Sequence, residues 1–328
     1  MSRRLAAAAL VALALGACGQ GSVLDPAGPA ARAVERLWWV MLGLGVAVWA
    51  AVAVLLGAAA RRGRRGAPGG EGPGQGESVR LVVGGGVVLP VVVLVPLAVY
   101  VLVVSDRLSH DPRPGDLAVE VVGHQFWWEL RYPGTGAVTA NELHVPVGRP
   151  VVLTMRSADV IHSFWVPAVH GKIDLIPGQE THLRFEVDRV GTFAGACAEF
   201  CGIQHAGMRL RLVARPEAEF ERWLARQSAD AVAPSRPEHR RGLEAFQAVG
   251  CGTCHRIRGT GAAGRAGPDL THLASRETLG AGVLENRRGQ LAGWVLDAPA
   301  QKPGVLMPPQ PVPPGDLDAL LDYLEALE

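Results

Sequence analysis

Two long uncharged apolar segments dominate the hydropathy pattern of the first third of the chain. Residues 37–60 and residues 81–104 each run for 24 positions without a charged side chain. Each is long enough to cross a hydrocarbon core of about 30 Å as a helix. The segment between them, 61–80, begins with four arginines in five positions, and arginines beside a membrane helix mark its cytoplasmic end. The pattern therefore predicts a transmembrane hairpin with everything after residue 105 outside the cytoplasm.

A shorter apolar run precedes this hairpin. Arg3 and Arg4 are followed by eleven apolar residues, too few to span a bilayer but typical of a secretion signal. The run ends in Leu-Gly-Ala-Cys18, which resembles a bacterial lipoprotein box. We therefore expect residues 1–17 to be a cleaved signal peptide and Cys18 to be lipidated. The alternative is a plain signal peptide with an incidental cysteine.

Residues 106–228 contain short stretches of β-branched or alternating apolar residues, which predict β-strands. Turn pairs such as Pro133-Gly134 and Pro177-Gly178 separate the stretches, and this spacing favours a β-sandwich. The predicted strands are 117–122, 126–131, 151–156, 182–187 and 208–213.

The remainder of the chain has a helical pattern. A predicted helix at 216–227 is followed by a polar, proline-containing segment at 229–236, which we interpret as a linker. Residues 237–328 are predicted to be all-helical, with helices at 237–249 and 289–296 and a final helix capped by Asp316.

Composition narrows the class of function. The chain has 328 residues, enough for two or three domains, and a net charge of +1, which gives no indication of nucleic-acid binding. Four of its five cysteines fall in two short motifs, and the fifth is Cys18.

The first motif holds Cys197, Cys201, His205 and Met208 at positions i, i+4, i+8 and i+11. All four side chains are soft or borderline ligands, the set that suits copper. A blue-copper site needs one thiolate, whereas two thiolates with these neighbours suit two coppers bridged by both sulfurs. Such a centre transfers electrons. The alternative is a Cys197–Cys201 disulfide, which an exported chain permits.

The second motif, Cys251-Gly-Thr-Cys254-His255, is a haem c attachment site. Its two thiols form thioethers to haem, and His255 is expected to bind the iron. Met307 is the one methionine downstream and is predicted as the second axial ligand, with His272 as the competing candidate. A zinc site is the alternative, but it lacks a second cysteine pair.

The copper motif resembles the dinuclear copper site (CuA) of subunit II of haem-copper cytochrome c oxidases. The resemblance covers nearly all the chain after Cys18, and the C-terminal haem motif resembles the fused class I cytochrome c domain of caa-type oxidases. It implies a Greek-key cupredoxin-like fold for the β-rich part. The copper ligands that it implies are His162, Cys197, Cys201, His205, Met208 and the backbone carbonyl of Glu199.

The same resemblance implies further roles. The Glu199 side chain matches a carboxylate that binds magnesium at the boundary with subunit I, and Pro268 matches a residue whose carbonyl accepts a hydrogen bond from the haem-binding histidine. Phe126, Trp127 and Trp128 match the aromatic segment through which electrons arrive, although many relatives have tryptophan where this chain has Phe126.

The function expected from the resemblance is electron transfer from haem c to the copper centre and on to haem in subunit I. Oxygen is reduced to water there, and the complex pumps protons. The expected partners are subunit I and other oxidase subunits, cytochrome c or another reduced donor, and membrane lipid. Two alternatives remain: the small subunit of a nitric oxide reductase, and a lipoprotein that delivers copper. A quinol-oxidase subunit is disfavoured, because such subunits lack the copper ligands.

Overall fold

The structure is a computed structural model that describes residues 21–64, 75–108 and 111–328. The predicted signal peptide, Cys18 and part of the predicted cytoplasmic loop lie outside the described residues. The described residues form two compact units: residues 32–109 form one, and the rest of the chain forms the other.

The first unit consists of long apolar helices. Helix α1 is Pro29–Arg64; the second segment consists of α2 (Gln75–Val83), a π-helical turn (Gly84–Val88) and α3 (Leu89–Arg107). Both segments are long and apolar enough to cross a membrane. Large apolar side chains such as Trp49 and Leu102 face outward, as lipid-facing residues do. The two predicted spans therefore lie inside longer helices, and Pro96 is accommodated within α3.

The second unit begins with a β-sandwich of ten strands. Strands β3, β2, β1, β5 and β8 form one sheet in that order, and β4, β10, β9, β6 and β7 form the other. Most neighbours are antiparallel, but β1 pairs with β5 and β10 with β4 in parallel, as crossovers between the sheets require. The strands are β1 Leu117–His124, β2 Trp127–Arg131, β3 Val138–Ala140, β4 Glu142–Pro146, β5 Val151–Ser157, β6 His162–Trp165, β7 Ile173–Leu175, β8 Thr181–Phe185, β9 Gly191–Cys197 and β10 Arg209–Arg215.

The sandwich core lies between the two sheets. Strand β1 alternates buried and less buried positions, which is the period-2 pattern of a strand with one face inward. Its partners β2 and β5 contribute the fully buried Trp128, Leu130 and Leu153, and Phe164 of β6 packs from the other sheet. The predicted β-sandwich is confirmed, and each of the five predicted strands is present with ends shifted by one or two residues.

A helical domain follows the sandwich within the same unit. The first helix, α4 Glu217–Ser228, still packs on the sandwich core through Phe220 and Trp223. The helices of the domain itself are α5 Pro237–Val249, α6 Arg288–Leu296, α7 Ala298–Gln301 and α8 Pro314–Glu325. A separate apolar core contains Phe246, Leu291 and Leu320. A two-stranded ribbon, Thr278–Leu279 with Leu284–Glu285, interrupts the predicted all-helical pattern.

The predicted cap of the last helix is wrong. Helix α8 begins at Pro314 rather than after Asp316, because proline fits the first helical turn, where no amide hydrogen is needed. Asp316 lies inside that turn, and its Oδ1 accepts a hydrogen bond from Arg241 Nη2 at 2.9 Å.

Candidate metal centres

The loop between β9 and β10 brings the first cysteine pair together. Strand β9 ends at Cys197, whose amide donates to the Met208 carbonyl at 2.9 Å and so closes the base of the loop. The two thiols are buried, and their Sγ atoms are 3.8 Å apart without a bond. The two sulfurs therefore lie side by side under a short loop, which we call the copper loop (residues 198–208).

The other predicted donors surround this sulfur pair. His162 Nδ1, on β6, lies 3.9 Å from Cys197 Sγ, and the Glu199 carbonyl oxygen lies 3.2 Å from the same sulfur. His205 Nδ1 and Met208 Sδ each lie 3.9 Å from Cys201 Sγ. The structure thus brings all six predicted donor groups together, although their ligand roles remain predictions.

The ionisation of the two thiols fits a site built for metal. Burial raises the pKa of Cys197, but hydrogen bonds with His162, Ser163, Glu199 and His205 together outweigh it and lower the pKa to about 6. Burial and the adjacent Cys197 raise the pKa of Cys201 to about 12. Two thiolates at this distance repel each other, and positive metal ions between them would remove that repulsion. The donor set therefore fits copper chemically as well as by spacing.

The Asp159 carboxylate, which was not predicted to have a role, contacts the His162 nitrogen that faces away from the cysteines. Asp159 Oδ1 lies 2.7 Å from His162 Nε2, and Asp159 Oδ2 accepts from the Gln125 amide at 2.6 Å. A carboxylate on the far nitrogen fixes the tautomer and orientation of a metal-binding histidine. Asp159 lies three residues before His162 in the sequence, but this spacing by itself does not indicate the contact.

The three predicted aromatic residues differ in their surroundings. Trp128 is fully buried, with its ring centroid 5.9 Å from that of His162. Phe126 is 7% exposed and packs against the copper loop, since a Cβ added at Gly202 would lie 3.1 Å from its ring. Trp127 is half-buried and stacks on His124 at 4.3 Å. Trp128 and Phe126 are therefore the two that adjoin the copper site.

The Glu199 side chain points away from the sulfurs. It is 44% exposed, and its Oε2 lies 3.8 Å from Lys172 Nζ, which is also 3.5 Å from Asp174 Oδ1. The carboxylate is thus available at the surface while the carbonyl of the same residue faces the cysteines.

The haem motif follows directly on helix α5. Gly250 ends that helix with a φ of +86°, a conformation that favours glycine, and a 3-10 turn carries Cys251. His255 Nδ1 lies 2.8 Å from the Pro268 carbonyl, the contact that the resemblance implied. A Cβ on Gly267 would lie 2.5 Å from His255 Cε1, so the backbone packs directly against the imidazole ring. Burial lowers the pKa of His255, which keeps the ring neutral and able to bind iron.

The two candidates for the second iron ligand lie in different settings. Met307 is half-buried in the irregular segment between α7 and α8. His272 is 3% exposed; its Nδ1 lies 2.6 Å from the Glu328 carbonyl and its Nε2 lies 3.0 Å from the Ala229 carbonyl. Hydrogen bonding thus engages both nitrogens of His272, which favours Met307.

Comparison with known proteins agrees with these two centres. Residues 135–214 match the family described as cytochrome c oxidase subunit II, periplasmic domain, and residues 240–328 match the cytochrome c family. Cytochrome c oxidase subunit 2 of Alkalihalophilus pseudofirmus is 38% identical over 247 residues, which cover 74% of this chain and 71% of that protein. The chain belongs to the cytochrome c oxidase subunit II family.

Two further relatives illustrate the range of similarity. Cytochrome c oxidase subunit 2 of Bacillus sp. strain PS3 is 30% identical over 259 residues, 74% of this chain and 72% of that protein. The solved periplasmic domain of subunit II of cytochrome oxidase from Bradyrhizobium japonicum is 32% identical over 34% of this chain and 93% of that one, with a TM-score of 0.33.

Membership in the oxidase subunit II family establishes the complex, the cellular location and the cofactors of this chain. The chain is part of a haem-copper oxidase, an oxidoreductase complex, and associates with subunit I and other subunits. It is an inner-membrane protein with two apolar N-terminal helices and periplasmic domains. The two matched families imply a CuA copper centre and haem c.

Proposed function

We propose that this chain is the electron-transfer subunit of a bacterial caa-type oxidase. In this role it passes electrons from its haem c to a dinuclear copper centre and on to haem in subunit I. Oxygen is reduced to water there, coupled to proton pumping by the complex. The observation that carries the proposal is the convergence of six donor groups on two adjacent sulfurs in a chain that also holds a haem attachment motif.

The copper ligands in this proposal are His162, Cys197, Cys201, His205, Met208 and the Glu199 carbonyl. When bound, the copper pair and haem c supply one-electron redox chemistry. The chain holds the donors rigidly, because Cys197 ends β9, Met208 directly precedes β10, and these two strands pair with each other. Rigid donors limit the rearrangement that accompanies each electron.

Residues around the donors keep the site dry and oriented. Asp159 holds the His162 ring, and the Gln125 side chain donates to the Cys201 carbonyl at 2.5 Å. Trp128 and Phe164 contribute apolar surface on the inner side. We infer that Trp128, Trp127 and Phe126 form the side of the site at which electrons arrive.

In the haem domain, Cys251 and Cys254 provide the thioether sulfurs, and His255 and Met307 the axial ligands. The Pro268 carbonyl accepts the Nδ1 hydrogen of His255 and so leaves Nε2 directed to the iron. The domain receives electrons from cytochrome c or another reduced donor. Fusing it to the copper domain replaces a diffusional encounter by one of high effective concentration.

Two further assignments belong to this proposal. The exposed Glu199 carboxylate binds magnesium at the boundary with subunit I, next to the copper site that its own carbonyl faces. Cys18 carries the lipid that anchors the mature N-terminus to membrane lipid, after removal of residues 1–17 as a signal peptide.

The test is turnover of the purified native complex. We expect rapid oxygen consumption with reduced cytochrome c as donor and little nitric oxide reduction measured in parallel. A Cys201→Ser variant should lose oxygen consumption and the copper signal but retain the haem spectrum. Nitric oxide reduction without oxygen uptake would assign the chain to a nitric oxide reductase, and a chain that purifies alone without turnover would favour copper delivery.

A further inference from the structure

A buried lysine connects the haem domain to the copper loop. The chain contains only two lysines among its 32 basic residues, and Lys302 is 2% exposed. Its ammonium donates hydrogen bonds to the carbonyls of Phe126, Gly207 and Gly280 at 3.0, 2.8 and 2.9 Å. An ammonium has three N–H donors, and here each of them has one carbonyl acceptor.

The three acceptors belong to three separate segments. Phe126 lies in the aromatic segment beside the copper site, and Gly207 directly precedes Met208 in the copper loop. Gly280 belongs to the haem domain itself, in the turn of the small ribbon. Lys302 begins the irregular segment that leads to Met307. One side chain therefore joins the segment that carries a proposed iron ligand to the segment that carries proposed copper ligands.

Backbone contacts around Lys302 bring the same surfaces close together. The Arg209 amide donates to the Ala281 carbonyl at 3.1 Å. Gly304 has a φ of +89°, which favours glycine, and a Cβ there would lie 2.4 Å from Ile203 Cγ2, so the haem domain approaches the copper loop closely at this position. The interface thus combines a main-chain hydrogen bond with close packing of the copper loop against the haem domain.

A second cluster anchors the ribbon to the sandwich. The buried carboxylate of Glu142, on β4, accepts from the amides of Glu277 and Thr278 at 2.9 and 3.0 Å. This cluster lies on a different strand from the copper ligands. It holds the ribbon in place, whereas Lys302 joins the haem domain to both the copper loop and the aromatic segment.

Lysine suits this position for a geometric reason. Its three donors diverge from one nitrogen, as three carbonyls in different directions require, whereas the planar guanidinium of arginine directs its donors in one plane. If the lysine were removed, three carbonyls in a closely packed interface would lose their donor.

We propose that Lys302 is a positioning residue that fixes the haem domain against the copper loop and thereby sets the rate of electron passage between the two centres. This inference rests on the proposed function. Lys302 acts through Phe126 and Gly207 and is not itself a ligand of either centre.

The experiment compares the full chain, loaded with haem and copper, with its Lys302→Met and Lys302→Gln variants. Flash reduction of haem c gives the first-order rate of electron equilibration with copper. Amide hydrogen exchange measures opening of residues 202–209 and 276–283. Visible and paramagnetic resonance spectra report whether each centre is intact. Arg287→Met, which removes a positive charge from an exposed site on the haem domain, is the control.

We expect the equilibration rate of Lys302→Met to fall by about tenfold or more, since small misplacements of reacting groups can cost up to about 100-fold. Exchange should accelerate in both segments while both spectra are retained. The equilibration rate and the exchange rates of Lys302→Gln should lie between those of Lys302→Met and the natural chain. Arg287→Met should show the same rates as the natural chain. If Lys302→Met fails to load both centres, Lys302→Gln provides the test.

Two results would overturn the inference: an unchanged rate in a variant with intact spectra, or a slower rate without faster exchange in either segment. Failure of the proposed function gives a different result, because the natural chain itself would then show no electron equilibration. The exchange comparison would still report whether Lys302 holds the interface.

Discussion

The His144 side chain shows how a single buried residue governs the response of the sandwich to acid. It is 4% exposed, stacks on Trp223 with centroids 4.1 Å apart, and accepts a hydrogen bond from Arg215 Nε at 3.3 Å. Burial and the nearby Arg215 charge lower the pKa of His144 to about 3. The folded protein therefore keeps this ring neutral at pH values at which the unfolded chain would protonate it.

This difference in pKa predicts acid destabilisation. The folded pKa is lower than the ordinary value of about 6.5, so the stabilisation is complete above pH 6.5 and is lost as pH falls towards 3. Between pH 7 and pH 5 the loss is about 2 kcal/mol. His144→Gln should abolish this part of the pH dependence of unfolding, measured on the full chain in detergent. His182→Gln, at a more exposed site, should retain it; equal pH profiles for the natural chain and His144→Gln would contradict the assignment.

At the same scale, sequence motifs identified the donors but not the residues that hold them. Cysteine and histidine spacing predicted the copper and haem motifs, because those ligands lie close together along the chain. Lys302 was not predicted, since its acceptors at Phe126 and Gly207 lie 176 and 95 positions away. Asp159 was close to His162 in sequence, but a carboxylate three residues from a histidine is too common to indicate a contact.

At the scale of elements, strands with a clear local pattern were predicted, whereas strands without one were missed. Strand β4 is buried at all five positions and therefore lacks the alternation of a strand with one wet face. Strand β9 contains two glycines and small residues, and β6 carries His162 and Ser163 in buried positions. These strands are specified by pairing with distant neighbours, which the local pattern does not reveal.

The packing of α5 on α8 depends on one missing side chain. A Cβ on Gly242 would lie 2.0 Å from the Ala319 carbonyl oxygen and 2.5 Å from Tyr323 Cβ, so the two helices touch through their backbones. Gly242→Ala should force them apart and destabilise the haem domain by about 3 kcal/mol, as overpacking does. The loss would be measured by denaturant unfolding followed at the haem absorption band.

Gly289 offers a matched control for this prediction. It lies in helix α6, and a Cβ there would meet nothing within 4 Å. Gly289→Ala should be neutral or stabilising by up to about 1 kcal/mol, because alanine is the better helix former. If Gly242→Ala and Gly289→Ala changed the free energy of unfolding equally, the close contact between α5 and α8 would not be the cause of the destabilisation.

At the scale of the whole molecule, the periplasmic part has two apolar cores rather than one. One core lies between the sheets and includes Cys197 and Cys201; the other lies among the haem-domain helices. Polar contacts join the two domains through Lys302, Glu142 and the Arg209 amide. Polar contacts of this kind fix orientation more than they add stability, so the two cores should unfold separately.

Removal of copper tests this separation. A ligand that binds only the folded state at about 1,000 times its dissociation constant stabilises it by about 4 kcal/mol, so chelation should lower the unfolding midpoint of the sandwich by about 10 °C or more. The haem-domain transition should move little, because its core contains none of the copper ligands. Calorimetry of the full chain, followed in parallel at the copper and haem absorption bands, measures both transitions. Cys201→Ser, purified without copper, should reproduce the chelated protein; a common shift of both transitions would show that the two domains unfold as one unit.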